Sequence, residues 1–248
     1  MSMQRIANYG SFLQAYALKQ LIEELGHKVE FVDYHVGAPV IAENADSKNK
    51  FVRKLEKGLE TFRYQAPPSH KFSFIRYKQS FAKKYMPLLG ITDEMNYNPT
   101  LDSLVIGSDE VFNCIQKNSN VGYSTELFGK DNHADRVITY AASFGNTTLE
   151  KLEKYQKANE IGNLLKKFDA ISVRDANSGS IVEQLTGEEP VYNLDPVLTY
   201  DYMNCCNRIP QIKATEKYLI LYAYAGRISN DEADWIAEYA KRKNLKVY

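Results

Sequence analysis

The chain has 248 residues, 44% of them hydrophobic and 25% charged, a composition typical of globular proteins that bury a sizeable core. Lys plus Arg and Asp plus Glu both number 31, so the basic excess of nucleic-acid-binding proteins is missing and we predict no nucleic-acid partner. No apolar run approaches the roughly 20 residues that span a membrane. Residues 1–7 also lack the apolar stretch of a secretory signal, and we predict a cytoplasmic protein.

The cysteines and histidines do not form a metal-binding pattern. The three cysteines have no C-x-x-C spacing, and the four histidines have no H-x-x-x-H spacing. We therefore predict reduced thiols, no metal site and no cofactor. His35 follows a predicted strand and is a weaker candidate for a cleft residue than for a surface residue.

The first regular elements form an αβ unit. Residues 8–11 predict a turn that opens a helix, with Ser11 as its N-cap. Apolar residues recur at helical spacing up to Leu25, and Gly26 supplies the positive φ that commonly ends a helix. Residues 29–34 predict the next strand, whereas residues 1–7 give only a weak strand signal.

Residues 41–99 predict a helical insertion. Helical periodicity occupies 51–62 and 72–85, and a Pro-Pro pair separates the two segments. The insertion contains no strand candidate, so we expect helices and loops along one edge of a sheet.

From residue 104 onward strands alternate with helices. Polar residues follow the predicted strands, and this rhythm indicates a doubly wound, mainly parallel Rossmann-like sheet with ligands outside the carboxyl ends of its strands. The predicted strands are 104–107, 136–141, 170–173 and 191–194, and the predicted helices are 149–168 and 177–185.

The pattern divides the chain into a first domain, residues 1–200, a linker, 201–217, and the start of a second α/β domain, 218–248. The last segment predicts a strand at 218–223, a helix at 231–242 and a strand from 245. Two strands and one helix cannot close a core. We therefore expect an incomplete second domain whose exposed apolar residues favour a homo-oligomer.

Five segments in a fixed order resemble the polysaccharide pyruvyl transferase family. Each ends a strand or opens a helix, and they are Asn8–Gly10 with Leu13–Leu18, Ile106–Asn113, Tyr140–Gly145, Ile171–Ser178 and Leu194–Leu198. The chain departs from the family at Glu110 and Phe112, where Gln and Trp are common. The family's Arg-and-His segment of the second domain has no counterpart before Tyr248.

The resemblance implies a two-domain architecture similar to the twin-Rossmann glycosyltransferases. It also implies transfer of pyruvate from phosphoenolpyruvate to a saccharide of a surface or extracellular polysaccharide, as a ketal. Such a donor needs arginines that make bidentate contacts with carboxylate and phosphate groups. Protonation of the enol ether carbon of the donor and deprotonation of a sugar hydroxyl need a general acid and a general base. The acceptor needs several convergent polar groups.

Two residues are the catalytic candidates. Arg174 follows an apolar strand and matches the family position associated with the anionic donor; the alternative is an ion pair with Asp175 or Asp195. Asp109 follows Ser108 in a tight turn and is a candidate base or acceptor-binding group; the alternative is that both residues cap a following helix.

The substrate-binding candidates lie at strand ends and at the first turn. Asn8, Tyr9 and Gly10 form a turn whose backbone N–H groups can approach an anion, although a simple Asn-initiated turn explains the sequence equally well. Ser108, Ser143 and Gly145 follow strands, and Gly145 is expected to supply a positive φ or a close backbone approach. Ser143 lacks the G-x-S-x-G context of a nucleophile, and Asp195 before Pro196 is expected to cap.

Two other functions remain open from the sequence. One is a twin-Rossmann glycosyltransferase that uses a nucleotide sugar, and the other is an inactive fragment that only binds ligand. Contacts to a base and ribose in the second domain would distinguish the first of these from a pyruvyl transferase.

Overall fold

The computed structural model describes residues 1–41, 68–116, 121–203, 205, 216–223 and 227–248. The chain divides into two compact units, Met1–Tyr200 and Asp201–Tyr248. The first unit holds a parallel sheet with its helices, and the second holds two short strands and one helix.

Helix α1 spans Tyr9–Glu24 and begins one turn earlier than a cap at Ser11 would allow. Asn8 is the N-cap, because its Oδ1 accepts hydrogen bonds from the backbone N–H groups of Gly10, at 2.7 Å, and Ser11, at 3.4 Å. The prediction of Ser11 as the cap was therefore wrong. The helix ends at Leu25, and Gly26 follows with a φ of +90°, as predicted.

Residues 29–34 are extended but form no strand, which corrects the sequence prediction. Their backbone groups bond to a later loop instead of a ladder, since Asp33 N–H donates to the Asn96 carbonyl at 2.7 Å. The Asn96 side chain in turn donates to the Phe31 carbonyl at 3.1 Å. The Gln4 side-chain amide donates to the Val32 carbonyl at 2.9 Å. An apolar, β-rich sequence forms a loop here, buried at residues 32–34, because its partners are side chains and a loop rather than a neighbouring strand.

Helix α2 spans Pro68–Leu89 and confirms the predicted helix at 72–85. It packs on α1 through aromatic rings, and Phe81, which is fully buried, lies between the two helices. The described part of the insertion contains no strand, and the predicted helix at 51–62 lies outside the described residues.

Four parallel strands form the sheet in the order β1-β2-β3-β4. This confirms that the four predicted strand segments pair in parallel, and such a sheet is consistent with a Rossmann-like fold. The strands are β1 (Ser103–Asp109), β2 (Arg136–Ala142), β3 (Ser172–Val173) and β4 (Val191–Tyr192). Asp109 pairs with Ala142, and Ala142 with Val173, so the carboxyl ends of β1, β2 and β3 lie side by side.

The predicted helix at 149–168 is in fact two helices, α3 (Leu149–Lys154) and α4 (Ala158–Leu165). The break lies at Gln156, which has a φ of +57°. The turn directs both Leu152 and Ile161 into the core, where each is completely buried, and one continuous helix would place these positions on different sides.

Two more helices follow strand ends. Helix α5 spans Ala176–Thr186, is capped by Asp175 at its start and ends at Gly187, in agreement with the prediction of a helix at 177–185. Helix α6 is the single turn Pro196–Thr199, which Asp195 caps by accepting from the Val197 N–H.

The centre of the first unit is aromatic. Phe112 stacks on Phe128 with ring centroids 4.7 Å apart and contacts Phe144 at 5.2 Å. All three side chains are buried to 1% exposure or less. Phe112 is therefore a core residue.

The second unit consists of β5 (Tyr218–Leu219), α7 (Asn230–Lys243) and β6 (Lys246–Val247), with β5 and β6 parallel. A capping box starts α7, because Ser229 and Glu232 each accept from the other's backbone N–H. Within the ranges that the structure describes, no helix is both long and apolar enough to cross a membrane.

Candidate functional site

Three charged side chains meet at the carboxyl ends of the strands, and we call Asp109, Arg174 and Asp195 the carboxylate–arginine cluster. Arg174 Nη1 lies 2.6 Å from Asp195 Oδ2, and Arg174 Nη2 lies 3.5 Å from Asp109 Oδ1. The side chains are 17–21% exposed. This is the edge where parallel α/β proteins bind their ligands.

Backbone hydrogen bonds continue between the strands to their last residues and thereby position the cluster. Ser143 N–H donates to the Asp109 carbonyl at 3.0 Å, and Arg174 N–H donates to the Ala142 carbonyl at 3.3 Å. Asp109 itself has a φ of +77°. Asp tolerates this left-handed region better than most side chains, because its short carboxylate can bond locally. Its Oδ1 accepts from the N–H of Glu110 at 2.9 Å.

No helix follows Asp109, so neither Ser108 nor Asp109 is a helix cap and that alternative was wrong. The chain turns directly after β1, at residues 110–116. The Asp109 carboxylate is directed instead toward Arg174 and α1, while Ser108 is completely buried at the base of the cluster.

Helix α1 supplies two residues that were not predicted as site residues, Gln14 and Ser11, the latter predicted only as a helix cap. Ser11 Oγ donates to Asp109 Oδ2 at 3.0 Å, and Gln14 Nε2 donates to Asp195 Oδ2 at 2.9 Å. Ser108 Oγ lies 3.4 Å from Gln14 Oε1 and donates to it. The spacing of Ser11 and Gln14 is the sequence signal that could have identified them. Polar residues three apart share one helix face, and here that face lies beside buried positions.

The two carboxylates of the cluster have different surroundings. Asp195 uses both oxygens, since Oδ1 accepts from Val197 N–H at 3.0 Å and Oδ2 accepts from Arg174 and Gln14. It is a cap, as predicted, and also the closer partner of Arg174. Asp109 holds Arg174 more loosely, at 3.5 Å. The guanidinium therefore has one close partner, Asp195, and one more distant partner, Asp109.

Ser143 and Gly145 lie beside the cluster but use their polar groups internally. Ser143 is 4% exposed, and its Oγ accepts from the Gly145 N–H at 3.0 Å. Gly145 has a φ of +54°, and a Cβ there would lie 2.5 Å from Glu110 Oε2. The predicted positive φ is confirmed, and the atoms that approach this glycine belong to side chains rather than to the backbone.

The first turn is an Asn-initiated turn. The N–H groups of Gly10 and Ser11 already donate to the Asn8 side chain, which was the simpler of the two explanations from the sequence. Tyr9 points to α2, where its ring contacts Phe81 with centroids 5.5 Å apart. The structure thus brings Ser108 and Ser143 to the cluster and places Asn8, Tyr9 and Gly10 just before Ser11.

His35 contacts other partners. Its Nδ1 lies 2.8 Å from Glu126 Oε1, and its ring stacks on Tyr97 with centroids 4.0 Å apart. Across the described residues, no three His, Cys, Asp or Glu side chains lie close enough together to hold a metal ion.

A cavity of about 640 Å³ lies elsewhere, beside the edge of β1. It is lined by α1, by residues 27–32 and by the amino-terminal half of β1, including Leu18, Ile22 and Val105. None of the predicted site residues lines it, so the chemistry that the sequence indicates lies at the strand ends and not in this space.

A parallel α/β sheet with an arginine and carboxylates at its strand ends has the arrangement of an α/β enzyme that binds a charged or polar ligand. The model of the polysaccharide pyruvyl transferase family matches residues 8–244, nearly the whole chain, and the chain belongs to this family. This confirms the resemblance of the five segments. No curated protein matches the chain, and no solved structure matches it. Membership implies a transferase with a saccharide acceptor.

Proposed function

We propose that the chain transfers pyruvate from phosphoenolpyruvate to two hydroxyls of one sugar in a surface or extracellular polysaccharide, forming a cyclic ketal. The observation that carries the proposal is Arg174, held between Asp109 and Asp195 at the carboxyl edge of the sheet in a chain of this family. A guanidinium suits a donor with a carboxylate and a phosphate, because its planar fork binds such groups through two hydrogen bonds.

The proposed reaction balances without a cofactor. Both sugar oxygens form bonds to C2 of phosphoenolpyruvate, and the bond from C2 to the phosphate oxygen breaks. One hydroxyl proton is matched by the proton that converts the methylene carbon to a methyl group, and the other is matched by protonation of the departing phosphate. Catalysis therefore needs an acid, a base and a cation near the donor.

Arg174 is the proposed donor-binding residue. Its short bond to Asp195 holds one edge of the guanidinium, and its longer contact with Asp109 is the one that the donor replaces. Arg174 is the cation of the cluster and therefore the group that attracts an anionic donor.

Asp109 is the proposed base. Once the donor occupies Arg174 Nη2, the Asp109 Oδ1 atom loses that cation and can accept the proton of an acceptor hydroxyl. Ser11 keeps the carboxylate oriented through its bond to Oδ2. Donor binding and base activation are thus linked through one contact.

The remaining parts of the proposal concern the whole protein. We propose that the sheet is doubly wound and belongs to a twin-Rossmann architecture, that the protein is cytoplasmic, and that it forms a homo-oligomer. Asn8, Tyr9, Gly10, Ser108, Ser143 and Gly145 are the proposed substrate-binding positions. The family match favours a pyruvyl transferase over the nucleotide-sugar glycosyltransferase.

The test is a steady-state assay of phosphate release from phosphoenolpyruvate, with methyl glycosides of glucose, galactose, mannose and N-acetylglucosamine as acceptors. We expect phosphate release that depends on an acceptor, and a product whose mass spectrum contains the pyruvate ketal. Asp109→Asn, which keeps the shape and removes the basic group, should lower the rate at least tenfold. Transfer of a sugar from a nucleotide sugar, with no reaction of phosphoenolpyruvate, would contradict the proposal.

A further inference from the structure

A cluster of tyrosines lies where α1 meets α2, and we call Tyr9, Tyr77 and Tyr85 the tyrosine patch. The Tyr9 ring centroid is 5.4 Å from that of Tyr77 and 5.3 Å from that of Tyr85. Tyr77 and Tyr85 are eight residues apart on α2 and share one face of that helix. Phe81, midway between them, is fully buried beneath the patch.

Packing between the helices explains the phenylalanines of this region but not the tyrosines. Phe12 and Phe81 are 6% and 0% exposed, and their edge-to-face contact joins α1 to α2. Tyr9 remains 48% exposed, although it contacts three rings. An exposed aromatic surface backed by a rigid buried ring is preorganised for a ligand.

The hydroxyl groups make this surface amphipathic. The Tyr9 and Tyr85 hydroxyl oxygens lie 3.3 Å apart, so one donates to the other, and the Tyr9 hydroxyl also bonds to that of Tyr77. The three hydroxyls retain lone pairs that can accept from a ligand. The hydrogen bond with Tyr85, followed by burial, raises the pKa of Tyr9, so the phenol remains protonated at neutral pH. Aromatic faces with hydroxyls at their rim match a pyranose ring, which has C–H faces and a rim of hydroxyls.

The tyrosine patch and the carboxylate–arginine cluster both include contacts from the first turn of α1. Tyr9 is the first residue of the helix, and Ser11, two residues later, donates to Asp109 at 3.0 Å. Two residues advance about 3 Å along a helix axis and turn the side chain by about 200°, so Tyr9 and Ser11 belong to one turn of α1 but face different sides of it. The other two tyrosines come from residues 41–99, the insertion into the regular alternation of strands and helices, so they can vary without changing the sheet.

We propose that the tyrosine patch binds a pyranose ring of the saccharide acceptor and contributes to the choice of acceptor. The inference rests on the proposed function for the identity of the ligand, the saccharide acceptor. The insertion is then a specificity element, and the strand ends perform the reaction.

The test measures acceptor and donor binding separately on the full chain. Saturation-transfer NMR titrations use the four methyl glycosides named above, and calorimetry measures phosphoenolpyruvate binding. Tyr9→Leu keeps an apolar side chain against Phe81 and removes the ring, and we expect it to weaken glycoside binding at least fivefold. Tyr85→Phe removes only a hydroxyl and should weaken glycoside binding two- to threefold. Neither change should alter phosphoenolpyruvate binding by more than twofold.

The matched control is Trp235 on α7, which is 62% exposed and stacks on Tyr239 with ring centroids 5.6 Å apart. Trp235→Leu should leave glycoside binding unchanged. Three outcomes would each overturn the proposed role of the patch. The first is unchanged glycoside binding by folded Tyr9→Leu and Tyr85→Phe, and the second is loss of glycoside binding on Trp235→Leu. The third is a wild-type protein that binds phosphoenolpyruvate but no glycoside. Failure of the wild type to bind or use phosphoenolpyruvate would overturn the proposed function instead.

Discussion

Arg174 has two roles that substitutions can separate, because it stabilises two carboxylates and is also the proposed donor-binding residue. Arg174→Ala leaves Asp109 and Asp195, each 17% exposed, without their cation. We expect a loss of about 1–3 kcal/mol in the free energy of unfolding, below the 3–5 kcal/mol of a fully buried pair. Loss of a desolvated donor contact costs a further 2–5 kcal/mol or so in transition-state binding, at least tenfold in kcat/KM.

The control for Arg174 is Asp195→Asn, which weakens the same ion pair from its other side. It should lower stability to a similar degree with a smaller effect on kcat/KM, and Arg174→Lys should lose activity because a single ammonium lacks the planar fork. Chemical denaturation and phosphate release are measured side by side. Equal losses of activity for Arg174→Ala and Asp195→Asn, in proportion to stability, would show that Arg174 is only structural.

The reactivity of Cys114 and Cys205 should follow the burial of their side chains. Cys114 is completely buried, and this desolvation raises the pKa of its thiol to about 12. Since the thiolate is the reactive form, Cys114 should resist iodoacetamide at pH 8 while Cys205, which is partly exposed, is alkylated. Peptide mass spectrometry measures each site, and the urea-unfolded chain is the control. Equal labelling of Cys114 and Cys205 in the native protein would contradict the predicted burial.

At the element scale, Gly107 allows β1 to approach β2. Its φ is +139°, and a Cβ there would lie 2.1 Å from the Tyr140 carbonyl oxygen. Gly107→Ala should therefore cost more than about 2 kcal/mol in unfolding free energy. The control is Gly187→Ala at the end of α5, where φ is +84° but nothing lies within 4 Å, and about 1 kcal/mol is expected. Urea unfolding gives both values, and equal losses would show that β1 can shift.

An ion pair between Arg5 and Asp33 holds segment 29–34, in addition to the hydrogen bonds from Asn96 and Gln4. Arg5 binds both oxygens of Asp33 at 2.6 Å, and Asp33 is 4% exposed. Burial alone raises the pKa of Asp33, but hydrogen bonds from Arg5, Asn96 and Gln4 outweigh it and the net shift is downward. A carboxyl whose pKa is lower in the folded than in the unfolded state adds stability above its unfolded pKa, about 3.9, and loses it as the pH falls through the folded pKa.

Asp33→Asn should accordingly lower the unfolding free energy by about 2–3 kcal/mol at pH 7. The difference between variant and wild type should shrink below about pH 4, because the wild type then loses the same charge. Glu30→Gln, which removes an exposed ion pair with Lys28, should leave stability unchanged. Denaturant titrations from pH 3 to 7 measure this, and a difference that does not change with pH would exclude the ionic origin.

At the scale of the whole molecule, the second unit exposes apolar side chains after β5. Ile220 and Tyr222 are 68% and 92% exposed. Exposed apolar residues beside a short strand favour association between copies. We expect sedimentation velocity to detect a concentration-dependent dimer that Ile220→Lys weakens at least fivefold, and Val191→Lys, at an exposed position of the first unit, is the control. A monomer at all concentrations would contradict the expectation.

The sequence by itself determined the parallel sheet and placed the candidate residues at the carboxyl ends of its strands. Hydrophobic periodicity is local, and residues such as Asp109 and Arg174 follow apolar segments whose carboxyl ends must meet at one edge of a parallel sheet. The same reasoning failed at residues 29–34 and at 149–168. There the pattern was right but long-range partners decided the backbone, namely Asn96 for the first segment and the core around Leu152 and Ile161 for the second.

Only the tertiary structure decided which groups surround Arg174. The sequence left Asp175 and Asp195 as alternative partners. Arg174 pairs with Asp195 at 2.6 Å, whereas both Asp175 oxygens accept from Ser178 at the start of α5. Ser11 and Gln14 join the cluster because the helix that carries them lies across the strand ends. Such contacts join residues 98 to 181 positions apart along the chain. Local periodicity contains no information about them, since it reports which face of an element is buried and not what lies opposite.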